Sequence, residues 1–168
     1  MVSSAEDLRD RIIELLPRLR RFARSLARNA HDADDLVQIT AERALARADQ
    51  LRPDHSPASW LFGILRNAWI DEARSRRRRE ALLEPADLAE RVGDDHAGSH
   101  PELLCLQDAL EQLPQEQRLA IALVLIEGLS YKEAAQIMNI PVGTLTSRLA
   151  RGREALQSLL SGKSGVLP

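Results

Sequence analysis

The sequence predicts an all-α protein of two small helical domains, an N-terminal helical bundle and a C-terminal helix-turn-helix domain, joined by a flexible acidic linker. Hydrophobic residues make up 44% of the 168 residues and aromatic residues only 3%. This Leu-, Ala- and Ile-rich composition favours helices over sheets. Apolar positions recur every three or four residues, except in residues 80–101, which are acidic and contain Pro and Gly. This composition predicts a linker between domains 1–79 and 102–161, with a loose tail at 162–168.

The charge is distributed unevenly along the chain. The net charge is −2, but residues 1–79 hold 16 basic and 12 acidic side chains, whereas residues 80–101 hold 1 basic and 6 acidic ones. Residues 102–168 hold 6 basic and 7 acidic side chains. Because local charge sets the electrostatic footprint, the basic N-terminal half is compatible with a nucleic-acid partner.

The first predicted helix covers residues 6–28, where Leu8, Ile12 and Leu19 follow a helical period. Pro17 interrupts this pattern, so we expect the helix to kink or restart there.

The second predicted helix, Asp32 to Ala48, begins with a cluster of acidic residues. Carboxylates near a helix N-terminus are favourable, which accounts for one or two of Asp32, Asp34 and Asp35. Three carboxylates beside Leu36 and Val37 also suit a basic groove on a partner, and the spacing leaves both interpretations open.

The third predicted helix, Pro57–Arg79, has Ser56 as its N-cap and Pro57 at its first position. The helix ends in four consecutive arginines, Arg76–Arg79. Four exceed what the helix dipole requires, and a basic helix end is a ready phosphate binder.

The C-terminal region is predicted to begin with two helices, Glu102–Leu113 and Pro114–Glu127, the second of which is closed by Gly128. Ser130 and Glu133 then form a capping box that starts another helix.

That helix stops at Asn139-Ile140-Pro141, and a further helix starts near Val142. Two helices joined by a short turn indicate a helix-turn-helix, whose second helix enters the DNA major groove with its first residues forward. Its exposed positions carry hydroxyls and arginines suited to phosphates or base edges: Thr144, Thr146, Ser147, Arg148, Arg151 and Arg153. The alternative is an antiparallel helix pair whose polar face is merely solvated.

Other functional classes have weak support. We find no glycine-rich phosphate loop and no nucleophile motif, so we expect no enzymatic activity and no cofactor. His96, His100 and Cys105 form a loose cluster, but histidines in a linker are more often ordinary linker residues, and we expect no metal. Cys105 lies on an apolar helix face and is expected to be buried. Without a run of eighteen apolar residues or an apolar signal core, we expect a cytoplasmic protein with no membrane insertion.

Three segments together resemble one known family. Residues 32–45, 57–79 and 113–156 resemble, in order and in spacing, the extracytoplasmic-function sigma factors, the minimal two-domain type of bacterial sigma factor. The resemblance covers nearly the whole chain outside the linker and the ends. It implies a protein that binds core RNA polymerase and directs it to promoter DNA, under the control of an anti-sigma factor.

The resemblance also implies roles for individual residues. The surface that docks on the largest polymerase subunits would be Asp32, Asp34, Asp35, Leu36, Val37 and Gln38. The helix 57–79 would meet the minus-ten element, with the loop Gln50–Ser59 holding a flipped base, and the helix 144–153 would read the minus-thirty-five element. The implied DNA-binding residues are Trp60, Arg66, Asn67, Asp71, Arg74, Arg76, Arg77, Arg78, Ser130, Thr144, Thr146, Ser147, Arg148 and Arg151.

Two departures from the family pattern are visible. Thr146 stands where many members carry Lys or Arg, and Ile39-Thr40 makes the polymerase surface slightly less acidic. An alternative function is a sigma-like interaction mimic that titrates an anti-sigma factor without binding DNA. Such a mimic would be expected to lose the arginines at 76–79 and 148–153, which this chain keeps.

Overall fold

The structure is a computed structural model that describes residues 3–83 and 100–164. Within these ranges it is helical and contains no strand, which confirms the predicted fold class. The helices are α1 (Ser3–Leu26), α2 (Ala30–Ala46), α3 (Pro57–Glu80), α4 (Pro101–Gln112), α5 (Gln115–Ile121), α6 (Tyr131–Met138) and α7 (Val142–Ser164). A 3-10 turn, Ala48–Gln50, follows α2, and a π-helical turn, Ala122–Ile126, continues α5.

Helix α1 runs through Pro17 without a break, so the expected restart does not occur. A proline removes one backbone donor and leaves the carbonyl four residues earlier without a helical partner. Pro17 and Ile13 are both exposed. Water can therefore hydrogen-bond to the Ile13 carbonyl, which has no amide partner at Pro17. The helix continues through the proline for this reason.

Side-chain caps set the starts of α2 and α3. Asn29 caps α2, since its side chain accepts a hydrogen bond from the Asp32 amide at 2.8 Å. The helix therefore begins slightly earlier than predicted, which moves Asp34 and Asp35 out of its first turn. Ser56 caps α3 as predicted, accepting from the Ser59 amide at 3.4 Å.

The helix-turn-helix has the predicted local geometry. Ser130 and Glu133 form a reciprocal capping box at the start of α6. Asn139 ends that helix with a φ of 55°, in the left-handed region that Asn tolerates better than most residues. Gly128, before α6, has a φ of 69°. Helix α7 continues to Ser164, so the predicted tail begins later than expected.

The N-terminal bundle packs α1, α2 and α3 around aromatic and aliphatic side chains. Phe22 and Phe62 are fully buried and meet edge to face, with ring centroids 5.1 Å apart. In the C-terminal part, α7 packs against α5, and its Leu145, Leu149 and Gly152 are buried. A Cβ at Gly152 would lie 3.1 Å from a side-chain carbon of Ile121, so the glycine permits the close approach of these helices.

The two predicted domains contact one another in the structure. Helix α1 packs against α4, α5 and the π-helical turn, and α3 packs against α6. Most of the predicted linker, residues 84–99, lies outside the described residues. In the described ranges, no helix is both long enough and apolar enough to span a membrane.

Candidate polymerase and promoter interfaces

The acidic surface of α2 is smaller than the sequence suggests. Asp34, Asp35 and Gln38 are exposed, and Gln38 donates to Glu42 at 3.1 Å along the same helix face. Asp32 is only partly exposed and forms an ion pair with Arg76 of α3 at 2.9 Å. The exposed acidic surface therefore consists of the carboxylates of Asp34, Asp35 and Glu42 together with the amide of Gln38.

We expected Leu36 and Val37 to form an apolar edge of this surface. The structure shows that they do not. Their exposed fractions are 3% and 6%, and both belong to the hydrophobic core. The helical period places them on the inner face of α2, opposite the carboxylates. A contribution of these two residues to polymerase binding would thus be indirect, through the position of the helix.

The arginines at the end of α3 fall into two groups. Arg74, Arg77 and Arg78 are exposed. Arg76 forms an ion pair with Asp32 at 2.9 Å, and Arg79 forms one with Glu72 at 2.7 Å. The first group is best placed to meet phosphates, since its three side chains are exposed, whereas Arg76 and Arg79 are held by carboxylates of the protein.

The middle of α3 is more constrained. Trp60 is partly buried and packs against the core, and Asp71 pairs with Arg43 of α2 at 3.0 Å. Arg66 donates to the side-chain oxygen of its neighbour Asn67, and also to the backbone carbonyl of Ile137 in α6. Burial lowers the pKa of Arg66 below its ordinary value. Arg66, a predicted DNA contact, is therefore already hydrogen-bonded within the protein.

The first turns of α7 present the predicted hydroxyls. Thr146 and Ser147 are exposed and donate to the carbonyls of Val142 and Gly143 at 2.9 and 3.2 Å. Each hydroxyl oxygen keeps lone pairs to accept from an external donor. Thr144 is half-buried and Arg151 is exposed. These side chains mark one outward face of the helix-turn-helix.

Two further predicted DNA contacts have partners within the C-terminal part. Arg148 forms an ion pair with Glu116 of α5 at 2.9 Å. Ser130 donates its hydroxyl to Glu133 at 2.7 Å and accepts from the amide of the same residue. The pKa of Glu133 is lowered, first by the side-chain hydrogen bond and then by the backbone hydrogen bond from Ser130.

Sequence reasoning missed a set of polar residues that connect the two domains. The side chain of Glu127 is completely buried and is bound by Arg18 and Arg21 of α1. Arg118 is 7% exposed and donates to the carbonyls of Leu110 and Leu26, at 2.6 and 2.7 Å. The sequence signal for these contacts was that two charged residues, Arg118 and Glu127, flank the apolar run Leu119–Ile126.

A groove of about 800 Å³ lies beside these contacts, between α2 and α3 on one side and α4 and α5 on the other. Its walls include the predicted polymerase contacts Asp32 and Asp35 and the predicted DNA contacts Arg76 and Arg77. The side chains of Leu104, Leu113 and Arg118 border it from the C-terminal part. A ligand in this groove would cover residues from both predicted interfaces.

The described residues contain no group of three His, Cys, Asp or Glu side chains placed to hold a metal ion. His96 lies outside the described residues. Cys105 is exposed, so the expectation that it is buried is wrong. It lies one helical turn before the buried Ala109, near the start of α4, where Leu103 is also exposed.

Comparisons with known proteins agree with the order of these elements. The family model for Sigma-70 region 2 matches residues 12–79, and that for Sigma-70, region 4 matches residues 103–156. The ECF RNA polymerase sigma factor EcfG of Rhodopseudomonas palustris is 44% identical over 155 residues, covering 92% of this chain and 86% of that protein. The chain belongs to the extracytoplasmic-function sigma factors. Such sigma factors are transcription regulators, in which region 4 is a DNA-binding helix-turn-helix.

Two solved structures resemble this sigma factor over nearly its whole length. One is the sigma factor RpoE in complex with the anti-sigma factor NepR from Bartonella quintana, with 34% identity and a TM-score of 0.78. That match covers 93% of this chain and 98% of the other. The second is CnrH in complex with the cytosolic domain of CnrY, with 27% identity, a TM-score of 0.73, and coverage of 96% and 92%.

Proposed function

We propose a division of labour in which the N-terminal domain, residues 1–79, docks on core polymerase and opens the minus-ten element. The C-terminal domain, residues 102–161, reads the minus-thirty-five element. The observation that carries the proposal is that adjacent helices of one bundle present opposite charges. Asp34 and Asp35 are exposed on α2, and Arg77 and Arg78 are exposed on α3. A protein that joins a basic polymerase groove to DNA phosphates needs both surfaces side by side.

The docking surface would use Asp34, Asp35 and Gln38 directly. Asp32 would contribute less, because its carboxylate is already paired with Arg76. Leu36 and Val37 would hold the helix in place from the core.

The minus-ten contact would use the exposed end of α3 for phosphates, through Arg74, Arg77 and Arg78. Nearer the start of the helix, Trp60 and Asn67 would meet the opened strand. The loop Gln50–Ser59 borders a cleft of about 600 Å³ that also contacts the start of α1, which supports its proposed role in holding an unstacked base.

The minus-thirty-five contact would use the outward face of α7, with Thr144, Thr146, Ser147 and Arg151 forward in the major groove. Arg148 would exchange its ion pair with Glu116 for a base or a phosphate. Ser130 would orient α6 against the DNA backbone.

We further propose that an anti-sigma factor occupies the groove between the domains. The RpoE structure named above is a complex with the anti-sigma factor NepR, and the CnrH structure is a complex with the cytosolic domain of CnrY. A segment bound there would cover Asp32, Asp35, Arg76 and Arg77 together.

Run-off transcription with core polymerase on a promoter library tests the proposal directly. We expect transcripts only from templates that share one upstream and one downstream element. Transcripts that depend on the downstream element alone would contradict the role assigned to α7.

A further inference from the structure

The start of α7 carries an exposed apolar side chain. Val142 is the first residue of this helix and is 45% exposed. Leu145, three residues later, is completely buried, so Leu145 rather than Val142 anchors this turn in the core. Thr146 follows Val142 by four residues and is also exposed. Side chains at this spacing are neighbours on a helix face, and Val142 and Thr146 therefore form one outward-facing surface.

The exposed hydroxyls of this turn already donate within the helix. Thr146 donates to the carbonyl of Val142 at 2.9 Å, and Ser147 donates to that of Gly143 at 3.2 Å. A hydroxyl has one hydrogen, so each oxygen offers an incoming base only its lone pairs. The first arginine of α7, Arg148, is held in an ion pair. Val142 and Thr146 thus present methyl groups and one acceptor oxygen, and neither side chain has a hydrogen left to donate.

Gly143 lies beside this surface at a position that does not require glycine. Its backbone is helical, and it is not among the residues with a positive φ. A Cβ at Gly143 would have no neighbour within 4 Å, so alanine would fit. Alanine is also the better helix former. A glycine that neither the backbone conformation nor the packing needs suits the close approach of another molecule to the backbone.

In the major groove, thymine is the base that an apolar side chain can recognise. The other three bases present hydrogen-bonding groups there, whereas thymine adds a C5-methyl group that contacts apolar side chains and the methyl of threonine. An isopropyl group placed over a hydrogen-bonding edge would displace water without replacing its hydrogen bond, which is unfavourable. Placed over a methyl group, it removes apolar surface from water on both sides, which is favourable.

We propose that Val142 and Thr146 are specificity-determining residues that recognise the C5-methyl group of thymine in the upstream element, and that Gly143 lets the start of α7 approach the bases. The inference rests on the proposed role of α7 in reading that element. The arginines of α7 do not supply this recognition, since guanidinium groups donate to guanine or to phosphates. The hydrogen bond from Thr146 to the Val142 carbonyl restrains the Thr146 side chain beside Val142.

Replacement of thymine by deoxyuridine tests the contact, because it removes the C5-methyl group and leaves the hydrogen-bonding groups of the base in place. The probes are promoter duplexes with the two elements selected by run-off transcription, each carrying deoxyuridine at one thymine of the upstream element. Holoenzyme assembled from the full chain and core polymerase is titrated with each probe. We expect roughly a three- to fivefold loss of affinity at one or two positions, as for one methyl group returned to water.

Two variants remove the matching methyl groups from the protein. Val142→Ala shortens the apolar side chain, and Thr146→Ser removes a methyl group but keeps the hydroxyl that donates within the helix. Both positions are exposed, so the fold should be retained. At the sensitive thymine, we expect at least one variant to bind the thymine and deoxyuridine probes equally, because the two methyl groups act as a coupled pair. The matched control, Leu125→Ala, shortens a side chain of the same 45% exposure outside α7 and should keep the wild-type difference.

The possible outcomes separate this inference from the proposed function. A wild type that binds thymine and deoxyuridine probes equally at every position would refute the methyl contact and leave promoter reading by α7 intact. A difference that both variants retain would assign the contact to another side chain and refute the role of Val142 and Thr146. A selected upstream element without an A·T base pair would refute it as well. Transcription that ignores the upstream element would contradict the proposed function, and this inference with it.

Gly143→Ala tests the close approach of the backbone. We expect the free protein to be at least as stable in urea, since alanine favours the helix and the added Cβ has open space. Affinity of the holoenzyme for the unmodified probe should fall at least roughly threefold, because the added methyl group would meet the hydrogen-bonding edge of a base. Gly162→Ala, on the same helix and with equally open space, is the control and should bind as the wild type does. Equal affinity of Gly143→Ala and the wild type would refute the close approach.

Discussion

Asp34 and Asp35 are the residues at which the proposed polymerase contact can be tested with least disturbance of the fold. Both are exposed, and neither lies in the first turn of α2, so they contribute little to the helix dipole. We expect Asp34→Arg with Asp35→Arg to weaken core polymerase binding by at least ~2 kcal/mol, since charge reversal removes attraction and adds repulsion. The matched control, Glu6→Arg with Asp10→Arg, changes two exposed acidic residues of α1 by the same charge. Equal losses in both proteins in a binding titration would refute the assignment.

Arg148 allows a second test at the scale of single residues, this time of promoter reading. Its guanidinium forms an ion pair with Glu116 in the free protein. We expect Arg148→Ala to reduce discrimination at one position of the upstream element by ~1–3 kcal/mol, if the side chain reads a base. Affinities for a set of upstream-element variants measure this, with Arg153→Ala on the same helix as the control. A uniform loss on every variant would make Arg148 a phosphate contact instead.

Residues whose role depends on a distant partner could not be assigned from the sequence. Glu127 binds arginines more than 100 positions away, and Arg118 reaches a carbonyl 92 positions away. A carboxylate at the end of an apolar run has the same appearance in the sequence whether it faces water or a buried guanidinium. Leu36 and Val37 show the related difficulty that the helical period fixes relative faces but not which face is covered.

At the scale of the helix, the end of α3 offers a test of phosphate binding. Each phosphate contact that is lost should lower the slope of log affinity against log salt by ~0.9. We expect Arg77→Ala with Arg78→Ala to weaken promoter binding on all sequences and to lower that slope by nearly 2. The control, Arg20→Ala with Arg24→Ala, removes two exposed arginines from α1. A change confined to one DNA sequence would indicate base reading by this helix end.

The capping box of α6 yields a prediction about stability and pH. Ser130→Ala should lower the free energy of unfolding by ~1 kcal/mol, as for other N-cap losses. Glu133 has a folded-state pKa below its ordinary value of 4.5, because Ser130 donates to its carboxylate. The carboxylate's contribution is therefore present above pH 4.5 and is lost as the pH falls through the lower folded pKa. Urea unfolding between pH 6 and 3 should show this loss in the wild type and a weaker dependence in Ser130→Ala.

The helix caps formed by Ser56, Ser130 and Asn139 were the most predictable features, because their signals are local. Ser56, Ser130 and Asn139 adopt the predicted roles, since a cap needs only the next three or four residues. The π-helical turn after α5 was not predicted. Its apolar residues fit a continuous α-helix equally well, and only packing against α1 distinguishes the two.

For the whole molecule, the sequence predicted two helical domains but not their contact. Each domain has its own local periodicity, whereas the boundary between them combines one continuous set of buried apolar side chains with a few polar contacts made by Arg18, Arg21, Arg66, Arg118 and Glu127. The RpoE and CnrH structures resemble this chain over more than nine-tenths of its length, with TM-scores of 0.78 and 0.73. A stable contact between domains should also be visible in how the protein unfolds.

Arg118 provides the test of that coupling. Its buried guanidinium donates to the last carbonyl of α1 and to a carbonyl near the end of α4, so it joins the two domains through their helix ends. Burial lowers the pKa of Arg118 to about 10, which leaves it charged at neutral pH. We expect Arg118→Met to remove the buried donor to the Leu26 carbonyl, at ~1–3 kcal/mol, whereas the Leu110 carbonyl keeps its hydrogen bond from the Leu113 amide at 3.2 Å. Calorimetry should then show one cooperative transition for the wild type and two separated transitions for the variant, with the C-terminal domain melting first. Gln112→Met, an exposed change from polar to apolar in α4, should keep a single transition. Two transitions already present in the wild type would mean that the domains unfold independently and that their contact adds little to stability.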